Sequence, residues 1–242
     1  LRQSKKAPTT SAPNSSDFLH AFYAAKELAD SILCITLSQQ LSATHDAAKT
    51  ACSLFRDEYP DQPITLIDSE TSIGSEGLIV LAAARFAKAN KNIDEVEAAA
   101  TFVQKRVRQF AFLDTLHYVA KGGRVPKIAA WIGSLLQFKP LLELSKGEAS
   151  MIARPRSHNK ALERLIKIVS EDVKSAPLRI NLLHAEAQSE IAHLRRRIEQ
   201  ELHCKEILVS EFAPVVGVHT GPGILGLAYY STEDEGEIPE TV

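Results

Sequence analysis

The sequence predicts an α/β protein of two domains: a parallel-sheet α/β/α domain over residues 1–107, then a two-layer α/β domain with a mixed sheet over residues 108–242. Three observations carry this reading. Helix and strand patterns alternate through the first 107 residues, as parallel sheets require. The rhythm then changes to a hairpin signal followed by strands interleaved with long amphipathic helices. A chain of 242 residues is long enough for two domains, each with its own core.

Residues 1–13 are polar and carry prolines, which reads as a loop leading into a helix. Asn14-Ser15-Ser16-Asp17 supplies N-cap chemistry, and Phe18, Leu19, Phe22, Tyr23 and Leu28 recur at helical spacing. Ser31 to Thr36 is an apolar run of the buried-strand type. A loop from Leu37 to Leu41 feeds a helix from Ser42, its natural N-cap, to Tyr59. Ile64 to Asp68 reads as the next strand. A Ser/Gly-rich loop, Ser69 to Glu76, opens a third helix through Gly77 to Phe86, and Asn92 with Glu95 makes a capping box for a fourth. Ligands bind such sheets beyond the carboxyl ends of the strands, so Thr36 to Ser42 and Asp68 to Gly77 form the expected functional edge.

In the second half, Arg108 to Leu113 reads as a strand, Thr115 to Lys121 and Lys127 to Gln137 as helices. Phe138 to Leu144 and Ser150 to Arg154 read as a hairpin about Ser145-Lys146-Gly147-Glu148. A long helix from His158 to Lys174 precedes a strand from Leu178 to Leu183. A basic amphipathic helix follows from Ala187 to His203, whose Arg195-Arg196-Arg197 run reads as a solvated face. Strands at Glu206 to Phe212, Val215 to His219 and Ile224 to Tyr230 close the domain, and Glu233 to Val242 is an acidic tail.

A net charge of −2 offers no basic footprint, so nucleic acid is not an expected partner. No apolar run reaches the roughly 18 residues that span a bilayer, so stable membrane insertion is not expected either. Cys34, Cys52 and Cys204 are odd in number and widely spaced, which indicates neither a disulfide framework nor a zinc site and fits a reducing cytoplasm. The eight histidines form no metal-ligand spacing. The chain opens at Leu1 and its one methionine is Met151, so an upstream segment is expected.

Two stretches carry chemistry. Val216 to Gly226 sets His219 and Thr220 on a turn between apolar strand-like segments, with Gly221 and Gly223 flanking Pro222 so that the backbone can approach a ligand closely. In Phe112 to Val125, a helical segment stops at Gly122-Gly123, which reads as a left-handed C-cap that aims the next side chain. That side chain is Arg124, whose planar fork suits a carboxylate or phosphate. The alternatives are a solvated hairpin histidine and a surface arginine paired with Asp114. The helix start at Ser42, with the hydroxyls of Ser38, Ser42 and Thr44, also favours an anionic group.

Several further stretches match a known family in order and spacing. They are Thr10-Ser11-Ala12-Pro13-Asn14; Ser38-Gln39-Gln40-Leu41-Ser42-Ala43-Thr44; the strand end Ile67-Asp68-Ser69; Leu113 to Arg124; Gly133-Ser134 through Lys139-Pro140; and His219 to Gly223. Through these the chain resembles the DegV family of bacterial fatty-acid-binding proteins, which have the EDD fold. Ala12, Gln39 and Ala43 depart from the family's usual glutamine, serine and glycine. The family's first βα unit, with its Asp-Ser-Thr motif, is expected ahead of Leu1.

The resemblance implies one long-chain fatty acid in an apolar tunnel between the two domains, its carboxylate held by hydroxyls and a helix N-terminus. Thr10 and Ser42 match carboxylate-binding positions, Arg124 and His219 match head-group positions of the second domain, and Ser11, Ser38 and Thr220 lie beside them in the same motifs. It further implies presentation of the acid to a partner fatty acid kinase that makes an acyl phosphate, with no catalysis and no cofactor of the chain's own. Burying a 16-carbon tail at about 0.8 kcal/mol per CH₂ gives a gross gain near 12 kcal/mol, so head-group contacts select and orient more than they hold. The competing reading is a subunit acting on a small carbonyl substrate, as in the dihydroxyacetone kinase-like fold, with His219 as nucleophile. A nucleotide-binding parallel-sheet protein is weaker, because no Gly-x-Gly-x-x-Gly or P-loop follows any strand.

Overall fold

The computed structural model describes residues 8–113, 115–123 and 138–233. They fall into two compact units. One spans Ser11–Arg106, and the other spans Val107–Glu233 and includes Thr10, which therefore groups with the later part of the chain and not with residues 11–106.

The first unit runs α1 (Ser15–Lys26), β1 (Ile32–Thr36), α2 (Thr44–Glu58), β2 (Ile64–Asp68), α3 (Ile73–Lys88) and α4 (Ile93–Arg106). Asn14 and Asp17 close a reciprocal capping box on α1, each side chain accepting from the other's backbone N–H at 3.0 and 2.9 Å. Asn92 and Glu95 do the same for α4 at 3.0 and 3.1 Å. β1 and β2 pair in parallel from Ile32 opposite Ile64 to Thr36 opposite Asp68, and α2 makes the crossover between them. The buried stripe of α2, Ala48, Ala51, Cys52 and Phe55, follows helical spacing and meets Phe22, Ile32 and Ile64 in one cluster. Phe22 and Phe55 meet edge to face at 5.8 Å. Burial pushes the Cys34 thiol up to about 12 and the Cys204 thiol up to about 11, so both stay protonated and inert at neutral pH.

Two helix starts differ from expectation. α2 begins at Thr44, not Ser42, with Ala43 in the cap position; the Ser42 hydroxyl still serves the first turn by accepting from Thr44 N–H at 3.3 Å. α3 begins at Ile73, four residues before Gly77. The Ser/Gly composition of 69–76 signals a loop, but Gly74 and Ser75 are buried in the first turn, where tertiary packing overrides weak propensity.

The second unit is built on a six-stranded mixed sheet. Its strands are β3 (Arg108–Phe112), β4 (Leu141–Ser145), β5 (Glu148–Ala153), β6 (Leu178–His184), β7 (Cys204–Glu211) and β8 (Leu225–Ser231), in the order β5-β4-β3-β8-β6-β7. Only β6 and β7 run parallel. Lys146 and Gly147, with φ of 50° and 74°, form the hairpin turn between β4 and β5. The helices are α5 (His117–Gly122), α6 (His158–Val173), α7 (Gln188–Glu201) and α8 (Pro214–Thr220). Leu162, Leu165, Ile166 and Val169 of α6 join Ile191, Leu194 and Ile198 of α7 over Phe110, Leu178, Ile180, Leu182 and Leu227 of the sheet. The arginine run of α7 is a paired surface: Arg195 binds Glu199 at 2.8 Å and Arg197 binds Glu201 at 2.6 Å.

The expected strand at Val215 to His219 is instead helix α8. Pro214 at its first turn and Gly221 after its end, at φ 80°, bracket it, and this framing with packing against α5 overrides the β preference of three valines. His219 therefore stands in the last turn of a helix, not at a strand end. The expected helix at 127–137 lies outside the described residues.

Arg108 ties the sheet to α6. Its guanidinium donates to Glu143 Oε1 on β4 at 3.0 and 2.7 Å and contacts Asp172 Oδ1 on α6 at 2.8 Å. Tyr229 on β8, 1% exposed, donates its phenol to Asp172 Oδ2 at 2.6 Å. Burial and then the hydrogen bond to Asp172 push the Tyr229 phenol far above its usual range, so it remains a donor.

Tyr229→Phe is expected to lower the unfolding free energy of this unit by about 1 kcal/mol in urea melts, because it removes one hydrogen bond to the exposed Asp172 carboxylate, which keeps its contact with Arg108. In the first unit, burial raises the Glu76 carboxyl from 4.5 to about 7, opposed by a hydrogen bond from the Ile73 backbone and aided by the Asp68 charge. The folded state thus holds this proton more tightly than the unfolded chain. Its contribution is present below pH 4.5 and is lost as pH rises to about 7. Glu76→Gln is expected to abolish that fall, read as a flatter dependence of melting temperature on pH over the same interval.

Candidate functional site

The first unit gathers hydroxyls at the carboxyl ends of its two strands. Ser38, 1% exposed, donates its backbone N–H to Thr71 O at 2.7 Å, which joins the loop after β1 to the loop after β2. Its carbonyl accepts from Leu41 N–H at 3.0 Å and Ser42 N–H at 3.3 Å, and its hydroxyl accepts from Gln40 N–H at 3.2 Å. Ser38 and Ser42 thus share one tight turn, and Ser42 Oγ lies 2.8 Å from Thr44 Oγ1 at the start of α2. Asp68 organises the second loop, accepting from Gln39 N–H at 3.3 Å and Glu70 N–H at 2.9 Å. Ser11 is exposed in the segment before Asn14.

Two features of this edge escape sequence reading. Thr36 Oγ1 and His45 Nδ1 hydrogen-bond at 2.8 Å across the turn, putting a histidine in the first turn of α2. A signal was present, a strand-end threonine followed nine residues later by a first-turn histidine, but a lone histidine carries no spacing to recognise. Ile73 adopts φ 59°, a left-handed conformation that costs a β-branched residue of the order of 1–3 kcal/mol and that clusters at functional sites.

In the second unit, Thr10 Oγ1 and His219 Nε2 hydrogen-bond at 2.8 Å although 209 residues separate them. Two glycines seat the histidine. A Cβ on Gly122 would come within 2.8 Å of His219 Nδ1, and one on Gly221 would overlap the Tyr118 ring, so α5 and α8 approach backbone to side chain at both points. Gly123 after α5 takes φ 68°, the left-handed cap expected there. Tyr118 and Gly122 lie four apart on one face of α5, the signal that would have marked them as packing partners. Thr220 Oγ1 donates to Val216 O at 2.9 Å within α8, so its hydroxyl offers a ligand only lone pairs. Arg124, with Asp114, lies outside the described residues.

A separate cavity of about 230 Å³ opens between the starts of α6 and α7, floored by Phe112, Leu162, Leu194 and Leu225 and rimmed by His158 and His193. None of the expected site residues lines it. Among the described residues, no group of histidine, cysteine and carboxylate side chains is placed to hold a metal ion, and no helix is long and apolar enough to cross a membrane.

Known proteins resemble this chain over most of its length. The model of the DegV family, described as uncharacterised protein, matches residues 1–232. DegV domain-containing proteins of Streptomyces coelicolor and Clostridium acetobutylicum are 34% and 31% identical, each over 95% of this chain and 80% and 81% of their own length. A solved DegV family protein from Thermus thermophilus, described by its fatty acid binding, superposes with a TM-score of 0.88 at 29% identity over 95% of this chain and 81% of that one. The chain belongs to the DegV family.

Proposed function

We propose that this protein binds one long-chain fatty acid, shields the acyl tail from water and hands the carboxyl group to a partner kinase for conversion to an acyl phosphate. The observation that carries the reading is the Thr10–His219 hydrogen bond, which joins two family motifs from opposite ends of the chain at 2.8 Å. The similarity to the fatty-acid-binding structure from Thermus thermophilus supports the ligand class.

The chemistry is consistent. A carboxylate needs two or three donors and gains most from groups held in place before it arrives. The turn of Ser38 and Ser42 supplies hydroxyls at the start of α2, a 15-residue helix whose dipole favours an anion. Thr10 and His219 supply a hydroxyl and an imidazole already fixed by each other. In the resting pair one hydrogen is shared between Thr10 Oγ1 and His219 Nε2, so an arriving carboxylate exchanges that bond for one to itself without reordering the ring. Ser11 and Thr220 complete the proposed set, Thr220 as a positioning residue through its bond into α8.

Native mass spectrometry of the purified chain, followed by denaturing extraction and lipid analysis, tests the ligand class. A fatty acid at one per chain is expected; a protein that carries none and takes up no added palmitate overturns the proposal. Ser42→Ala and His219→Ala are each expected to speed fatty-acid exchange about tenfold or more while leaving the fold intact, since each removes a bond to a charged group. Gly122→Ala is expected to reproduce the His219→Ala defect by displacing the ring, measured as acid transfer to vesicles. Exchange rates equal to wild type in a given variant remove that residue from the site.

A further inference from the structure

Ser72 stands at the N-cap of α3 with the extended backbone, φ −160° and ψ 171°, from which a serine hydroxyl ordinarily accepts an N–H of the first helical turn. It makes no such bond. Ser157 at the start of α6 has nearly the same conformation, φ −146° and ψ 158°, and its hydroxyl does accept, from Lys160 N–H at 3.3 Å. The difference lies in the residue that follows. Ile73 is turned into the left-handed region at φ 59°, and its N–H donates to the Glu76 carboxyl, so a side chain three residues on takes over the first turn. Burial raises the Glu76 carboxyl to about 7 against the pull of that bond, so it serves the helix start with reduced charge at neutral pH.

The Ser72 hydroxyl is thereby left uncommitted among the described residues, although Ser72 is only 6% exposed. A buried hydroxyl without a partner is unfavourable, and an arriving hydrogen-bond acceptor relieves it. Its place in the fold indicates which acceptor. Ser72 follows Thr71, whose carbonyl accepts the Ser38 N–H at 2.7 Å, and the Ser38 carbonyl in turn accepts the Ser42 N–H at 3.3 Å. Ser72 therefore lies on the carboxyl edge of the β1–β2 pair, one residue from the bond that ties its loop to the turn of Ser38 and Ser42. The neighbouring serine of the same loop is already engaged: Ser69 Oγ donates to Thr71 O at 3.2 Å and accepts from Thr71 N–H at 3.3 Å.

We propose that Ser72 is a further head-group residue, donating its hydroxyl to the carboxylate of the bound fatty acid from the loop after β2, with Glu76 as the positioning residue that frees it from capping. This rests on the fatty-acid reading above. The test is transfer of palmitate from the purified chain to phosphatidylcholine vesicles, with 1-hexadecanol as a second ligand that lacks the carboxylate. Ser72→Ala is expected to speed palmitate transfer at least about tenfold, through loss of one hydrogen bond to a charged group, and to change hexadecanol transfer by less than about twofold. Its melting temperature without ligand is expected to equal that of wild type, because the hydroxyl removed caps nothing. Palmitate transfer at the wild-type rate overturns the role of Ser72 and leaves the fatty-acid reading standing, as does equal acceleration of both ligands, the mark of a loosened pocket. A lowered melting temperature overturns it too, since the hydroxyl then serves the fold. A wild-type chain that takes up no palmitate overturns both this proposal and the reading beneath it.

Discussion

Gly122 and Gly221 carry no side chain where α5 and α8 meet, and the placement of His219 depends on that. A methyl group at Gly122 would press on the histidine ring, and one at Gly221 would occupy the space of Tyr118. Gly221 also takes φ 80°, which other residues adopt only under strain. These two glycines let a seven-residue helix, too short to hold itself together in water, dock firmly enough to present an imidazole to Thr10. The link from sequence to chemistry here runs through backbone approach and not through any polar motif.

The support behind this arrangement is the mixed sheet. Phe110 stacks on Tyr229 at 6.1 Å, and the Arg108 fork and the Tyr229 phenol converge on Asp172, so β4, β3, β8 and α6 are held by one network. Burial works against the Arg108 charge, but the hydrogen bond to Glu143 and the contacts with Tyr229 and Asp172 outweigh it and keep the guanidinium charged. β8 leads directly out of the turn that follows His219, so rigidity in β8 passes to that turn through the chain itself.

In the first unit the same end is reached by different means. Ser38, Asp68, Ser69 and Thr71 spend their hydrogen bonds on fixing two loops: Ser69 N–H donates to Thr36 O at 3.0 Å, and the Ser69 hydroxyl bonds Thr71 O at 3.2 Å. With those loops fixed, Ser42 and Thr44 keep hydroxyls at the start of α2, and Ile73 is held in a conformation that an isolated peptide would avoid. A dense polar turn thus fixes the sheet edge from which α2 begins.

Composition and periodicity by themselves determined much of this protein. The apolar stripes of α2, α6 and α7, the strand Ile64–Asp68, the capping boxes at Asn14 and Asn92, the left-handed cap at Gly123 and the hairpin at Lys146-Gly147 are local, because each depends on propensities and spacings within a few residues. Family motifs in order likewise made the family legible. Tertiary structure alone decided the rest. Val215 to Thr220 became a helix despite its valines, Ser42 yielded the cap position to Ala43, and the Thr36–His45 and Thr10–His219 pairs formed. A hydrogen bond across 209 residues leaves no periodic trace in a chain, and β propensity yields wherever packing against a neighbouring helix is worth more than the few tenths of a kcal/mol per residue that propensity supplies.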